Sequence, residues 1–189
     1  MTSHEHSVVV ERPLMTVYDQ WTQFESYPAF MDNVAEVEQV DDAMTHWKVS
    51  VAGVEREYDA QILEQRPGEV IAWQSVSGPR QAGSVRFAPL DPDRTRVTLT
   101  MDFEPQGFTE NVGEGVGAVG SSVADSLERF KEYIEDRGYA EGGWRGHIAD
   151  GEPVQNGGTR AMSDTPIDLR GDDVDASPFG EPGGGRGLV

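Results

Sequence analysis

Arg56 is the residue in this chain whose position demands most of its surroundings. In the stretch Val54 to Ile62, alternate residues fall on one face, so Arg56 shares its face with Val54, Tyr58, Ala60 and Ile62. A guanidinium among core residues needs a partner, because an unpaired buried charge is very costly. Either an internal acid meets it, or it turns toward the carbonyl or carboxylate of a ligand held in a pocket. Glu55, Glu57 and Asp59 have the opposite phase and are expected to face water.

Other residues have the types that chemistry uses without the arrangement it needs. His4 and His6 are spaced like a pair of metal ligands, but no third ligand joins them by any spacing rule, so they read as a solvated pair near a fraying terminus. His46 and His147 are isolated. Gly115-Val116-Gly117-Ala118-Val119-Gly120 spells the dinucleotide-binding fingerprint, and Glu135 lies twenty residues beyond Gly115. That fingerprint requires a strand, a tight turn, a helix and then a second parallel strand carrying the acid. Here Glu135 falls in the same helix and no strand follows. The small residues instead let the first helical turns approach a sheet, or leave open space beneath them. No HExxH, Ser-His-Asp order or phosphate loop is present, and the chain has no cysteine. No metal and no cofactor are expected, catalytic residues stay unassigned, and whether the protein is an enzyme is left open.

The elements that would position a site are legible. Ser7 to Glu11 reads as a first strand. Pro13 opens a helix with apolar positions Leu14, Val17, Tyr18, Trp21 and Phe24, and a second short helical turn is expected over Tyr27 to Met31. Six alternating stretches follow: Val34 to Val40, Thr45 to Val51, Val54 to Leu63, Val70 to Val76, Ser84 to Leu90 and Thr95 to Phe103. Short turns such as Ala52-Gly53 and Pro67-Gly68 divide them and leave no room for parallel crossovers. Val116, Val119, Val123, Leu127, Phe130 and Ile134 then form one helical stripe, capped at Asn111 and stopped at Gly138. The fold class is therefore α+β: an antiparallel sheet of about seven strands curved around a long C-terminal helix, with two short helices after the first strand.

Composition bounds the rest. The chain has 189 residues, 34 acids against 15 bases and a net charge of −19. Such a surface repels nucleic-acid phosphates and anionic lipid, and no apolar run is long enough to span a membrane. The N-terminus lacks the order of a signal peptide, so a cytoplasmic protein is expected, as a monomer or a homodimer. The domain is placed at residues 1–146. Residues 147–189, rich in Gly, Pro and acid, are expected to be a disordered tail.

The order of elements, with Trp21-Thr22-Gln23-Phe24-Glu25-Ser26-Tyr27-Pro28, the stretch Trp47 to Ile62, Ile71-Ala72-Trp73 and the ending Arg129-Phe130-Lys131, resembles the START-related SRPBCC superfamily of polyketide cyclase/dehydrase and coenzyme-Q-binding START-like proteins. The resemblance covers about residues 5 to 146. It implies a helix-grip fold with an apolar cavity between sheet and last helix. The candidate ligand contacts are Trp47, Val49, Arg56, Tyr58, Trp73 and Ser75 on the strands, continued by Phe87 and Met101. The helices add Trp21, Phe24, Val119 and Val123. The expected function is binding of a hydrophobic small molecule, polyketide, lipid or isoprenoid-like. The alternative is a polyketide aromatase/cyclase or dehydratase in which Arg56, Tyr58 and Ser75 polarise a ketone. A third reading is a regulatory protein whose acidic tail contacts a partner.

Overall fold

The computed structural model describes residues 2–51, 53–104 and 115–154, with side chains of the long helix described from Ser121 onward. Chain order is β1 (Thr2–Val10), α1 (Leu14–Trp21), a 3-10 helix (Phe24–Ala29), β2 (Val34–Gln39), β3 (Met44–Val51), β4 (Val54–Arg66), β5 (Val70–Ser75), β6 (Gln81–Asp91), β7 (Arg94–Phe103), α2 (Gly115–Arg137), β8 (Ile148–Ala149) and β9 (Glu152–Pro153). The seven long strands form one antiparallel sheet in the order β1-β7-β6-β5-β4-β3-β2, as short connections require. This is the α+β helix-grip architecture.

Three boundaries differ from the sequence reading. β1 begins at Thr2 rather than Ser7, because β7 offers a ladder along its whole length and Thr2 pairs with Phe103. His4 and His6 therefore sit in a paired strand and not at a fraying end. The 3-10 helix covers Phe24–Ala29 rather than Tyr27 to Met31, and the Tyr27 hydroxyl ties it to α1 by donating to the Trp21 carbonyl at 2.7 Å. The folded chain also continues past residue 146. β8 pairs with β4 at Glu64 and Gln65, and Ile148 is 1 % exposed. Two-residue strands carry no periodicity, and Gly151 and Pro153 resemble tail composition. The expected tail from residue 155 on, with any partner contact made there, lies outside the described residues, as do Asn111 and the proposed start of the long helix.

Curvature comes from identifiable irregularities. Tyr58, Ala60 and Ile62 point inward along β4. A bulge between Ile62 and Glu64 then shifts the phase, so that Gln65 is the next buried residue. Further bulges lie at Val34/Glu36 and Pro89/Asp91.

The curled sheet meets α2 at both edges. Beside β1, the Lys131 ammonium donates to the Val9 carbonyl at 2.8 Å, and the Glu11 amide donates to the Glu135 carboxylate at 2.7 Å. On the other side, in the approach to β2, Asn33 donates to the Ser122 hydroxyl and Arg129 pairs with Asp32. Leu127, Phe130 and Ile134 are fully buried, and Gly138, at φ +77°, stops the helix with its amide on the Ile134 carbonyl. Trp21 anchors the packed end of the interior, in ring contact with Tyr27, Phe30, Phe87 and Phe130 at 4.7 to 6.5 Å.

Candidate functional site

At the other end of the interior, between the inner face of the sheet and α2, lies a cavity of about 110 Å3. One side is a set of nearly parallel rings. Trp47 lies opposite Tyr58 across the β3–β4 ladder, with ring planes 10° apart and centroids 5.9 Å apart, and Trp73 continues the set at 15° and 6.2 Å. The Trp47 indole N–H donates to Thr45 at 2.8 Å, which fixes that ring. Leu99, Met101 and Phe103 of β7 form the floor, and Met31, Val34 and Val49 close the β2 and β3 side. Ser122, Val123 and Ser126 of α2 supply the roof, with Asn33 bonded to Ser122.

Gly83 sets the placement of the central ring. It stands directly between Trp73 on β5 and Met101 on β7. A methyl group added there would meet the indole at 2.3 Å and the Met101 sulfur at 2.7 Å. With no side chain in the way, the indole lies flat across β6.

The cavity's polar groups are few. Burial pushes the Tyr58 phenol well above its ordinary value, and a hydrogen bond from the Gln81 amide acts in the opposite direction without offsetting it, so the phenol stays protonated. The indole N–H of Trp73 is buried without a hydrogen-bond partner, and the side-chain amide nitrogen of Gln81 is buried with only the Tyr58 phenol near it. Among the described residues that line the cavity there is no carboxylate, histidine, lysine or arginine.

Of the expected contacts, the structure brings Trp47, Val49, Tyr58, Trp73, Met101 and Val123 together around this space. Arg56 is a correction. It is half-buried one inward step beyond Tyr58, and its guanidinium donates to the Glu55 carbonyl at 3.1 Å in an exposed setting. A long side chain near a strand end buries its stem and carries its charge out to solvent. Ser75 does not line the cavity either; its hydroxyl accepts from the Gln81 backbone amide at 3.0 Å and so shapes the start of β6. Trp21 and Phe87 belong to the packed aromatic core. Phe24 lies on a separate groove of about 510 Å3 with Thr22, Gln23, Gln39, Glu141 and Trp144. That groove is polar, and its Glu141 is already engaged: the Tyr133 hydroxyl, donating at 2.9 Å, holds the carboxyl below its usual range. The Val119 side chain lies outside the described residues.

Gln81, Asn33, Ser122 and Ser126 were missed. Gln81 falls in what reads as a turn before a strand beginning at Ser84. Ser122 and Ser126 flank the apolar stripe of α2 four residues apart, a spacing that would have placed them on one face of the helix.

Comparison with known proteins fits this geometry. Residues 10–132 match the family model described as polyketide cyclase/dehydrase and lipid transport. An uncharacterised 17.2 kDa protein of Streptomyces lincolnensis, from the melC2-rnhH intergenic region, is 50 % identical over 149 residues, which cover 78 % of this chain and 99 % of that protein. Among solved structures, the Zhui aromatase/cyclase of a Streptomyces species superposes with a TM-score of 0.60 at 22 % identity, over 76 % of this chain and 99 % of that one. A START superfamily protein of Mycobacterium smegmatis gives 0.57 at 17 %, over 71 % and 95 %. At those identities the two structures speak for the fold.

Proposed function

The chain belongs to the polyketide cyclase/dehydrase and lipid transport family, and on that premise we propose that it binds a small apolar molecule in the cavity between its sheet and α2. The carrying observation is the set of parallel rings on a cavity whose described lining residues include no carboxylate, histidine, lysine or arginine. Roughly 10 to 15 Å3 of such space accommodates one water, so 110 Å3 corresponds to about seven to eleven waters, or to a molecule of one or two rings. Burying such a ligand is worth about 25 cal/mol for each Å2 of apolar surface removed from water.

The aromatase/cyclase reading draws support from the Zhui structure. Ring closure by aldol condensation and dehydration requires a group that takes and returns protons near the working pH. The Tyr58 phenol is held too high to serve as that base, and Arg56 lies away from the cavity. Binding and carriage therefore outrank catalysis. Among the described residues no helix is long and apolar enough to cross a membrane. The net charge of −19 argues against a nucleic-acid partner, and a cytoplasmic location, as a monomer or homodimer, is part of the same proposal.

Native mass spectrometry of the protein as purified from cells, followed by solvent extraction, tests the proposal. One copy of a molecule of about ten to fifteen heavy atoms per chain is expected, displaceable by added tetralone. A protein that emerges empty, and that gains no mass with any one- or two-ring compound at millimolar concentration, would sink it.

A further inference from the structure

Buried donors are almost always paired, and an indole nitrogen can only donate. The cavity holds one unpaired donor, the indole of Trp73, and beside it on the neighbouring strand an amide with an N–H to spare, that of Gln81. Trp73 is 4 % exposed and Gln81 is 5 % exposed, and both line the cavity. The indole nitrogen lacks a partner, and the Gln81 amide nitrogen, which carries two N–H groups, has only the Tyr58 phenol beside it, leaving one N–H to spare. The register makes them neighbours: Trp73 stands opposite Gly83, and Gln81 is two residues along β6 on the same face. Because Gly83 has no side chain, the indole lies across β6, with ring atoms Cζ2 and Cε2, the latter bonded to the indole nitrogen, closest to it.

We propose that the Trp73 indole N–H and the Gln81 side-chain amide form a two-donor anchor for a single carbonyl oxygen of a flat, otherwise apolar ligand. This rests on the binding function proposed above and narrows it to a class of ligand. A carbonyl oxygen has two lone pairs and can accept both N–H groups at once, whereas a hydrocarbon leaves both donors unpaired. The protonated Tyr58 phenol adds a third donor on the same wall. The parallel planes of Tyr58, Trp47 and Trp73 favour a planar ring lying alongside them. The ligand class is therefore an aryl ketone, or a quinone or lactone of similar size.

The test uses two probes of one shape: acetophenone, and α-methylstyrene, in which a CH2 group replaces the carbonyl oxygen. Affinities are measured by NMR titration of the full chain. The indole N–H signal of Trp73 is identified by its loss in Trp73→Phe. The ketone is expected to bind about tenfold or more tightly than the olefin, from two hydrogen bonds, and to shift the Trp73 N–H signal downfield. Gln81→Leu, close to glutamine in shape, should bring the ratio of ketone to olefin affinity on that variant down toward one, and the dispersion of its amide NMR spectrum certifies that the variant is folded. Equal affinities in the wild type would overturn the anchor and leave the cavity a general apolar site. Failure of both probes to bind would overturn the binding function and the anchor with it.

Discussion

Gly83 illustrates how a single side chain, by its absence, builds the wall of the cavity. A methyl group at this position would lie 2.3 and 2.5 Å from carbon atoms of the rigid Trp73 indole and 2.7 Å from the Met101 sulfur. Met101 can swing its thioether aside, but the indole can only tilt, and it is stacked on Trp47. Gly83→Ala should therefore cost about 1–3 kcal/mol, the usual range for overpacking, and should weaken ligand binding at the same time. Urea unfolding with and without ketone measures both. A variant as stable as the wild type would mean that the indole is free to move. Arg56 shows the limit of reading single residues from alternation. Its phase was read correctly, since it is half-buried on the Tyr58 side. Phase fixes the face of a sheet, but not how far along the strand the cavity extends. The unpartnered indole N–H of Trp73 was invisible for a related reason: a missing partner is a property of three-dimensional surroundings.

The helix that closes the cavity was legible because its stripe repeats over several turns, and Leu127, Phe130 and Ile134 are buried as that stripe requires. The β8–β9 hairpin was not, because its register is set by an open stretch of β4 edge rather than by its own pattern. The fastening of α2 to β1 was also illegible, since it joins Glu11 to Glu135 across 124 residues. Burial alone would raise the Glu135 carboxyl. The Glu11 amide and the Lys131 ammonium, 2.6 Å away, outweigh that effect, and the carboxyl ends below its ordinary value of 4.5. A carboxyl depressed in the folded state contributes stability above its unfolded value, and that contribution is lost as pH falls through the folded value. Glu135→Gln is therefore expected to be less stable than the wild type at pH 7, by about 1 kcal/mol for a charged hydrogen bond partly screened by solvent. The gap should close as the pH is lowered below the ordinary value of 4.5 and through the depressed folded-state value. Denaturant melts of both proteins from pH 3 to 7 provide the check, and a gap independent of pH would assign the effect to packing rather than charge.

For the molecule as a whole, the decisive quantity is the excess of 34 acids over 15 bases. Even if every base is paired with one acid, at least 19 carboxylates are left to repel one another. The pairs that do form are mostly at the surface: Lys48 with Glu36 at 2.6 Å, Arg66 with Glu64 at 2.9 Å, Arg80 with Glu104 at 3.4 Å. Each contributes little to stability, and salt weakens it. Salt also weakens the repulsion, which acts over longer distances and involves more charges. Raising the ionic strength from about 0.01 to 0.15 M shortens the screening length from about 30 to 8 Å, which suppresses long-range repulsion first and pairs in contact last. The repulsion therefore dominates the response, and the melting temperature should rise with sodium chloride over this range and level off beyond it. A melting temperature that falls instead would show that attractive pairs outweigh the net charge, and the acidity of the chain would then be locally compensated rather than a cost to folding.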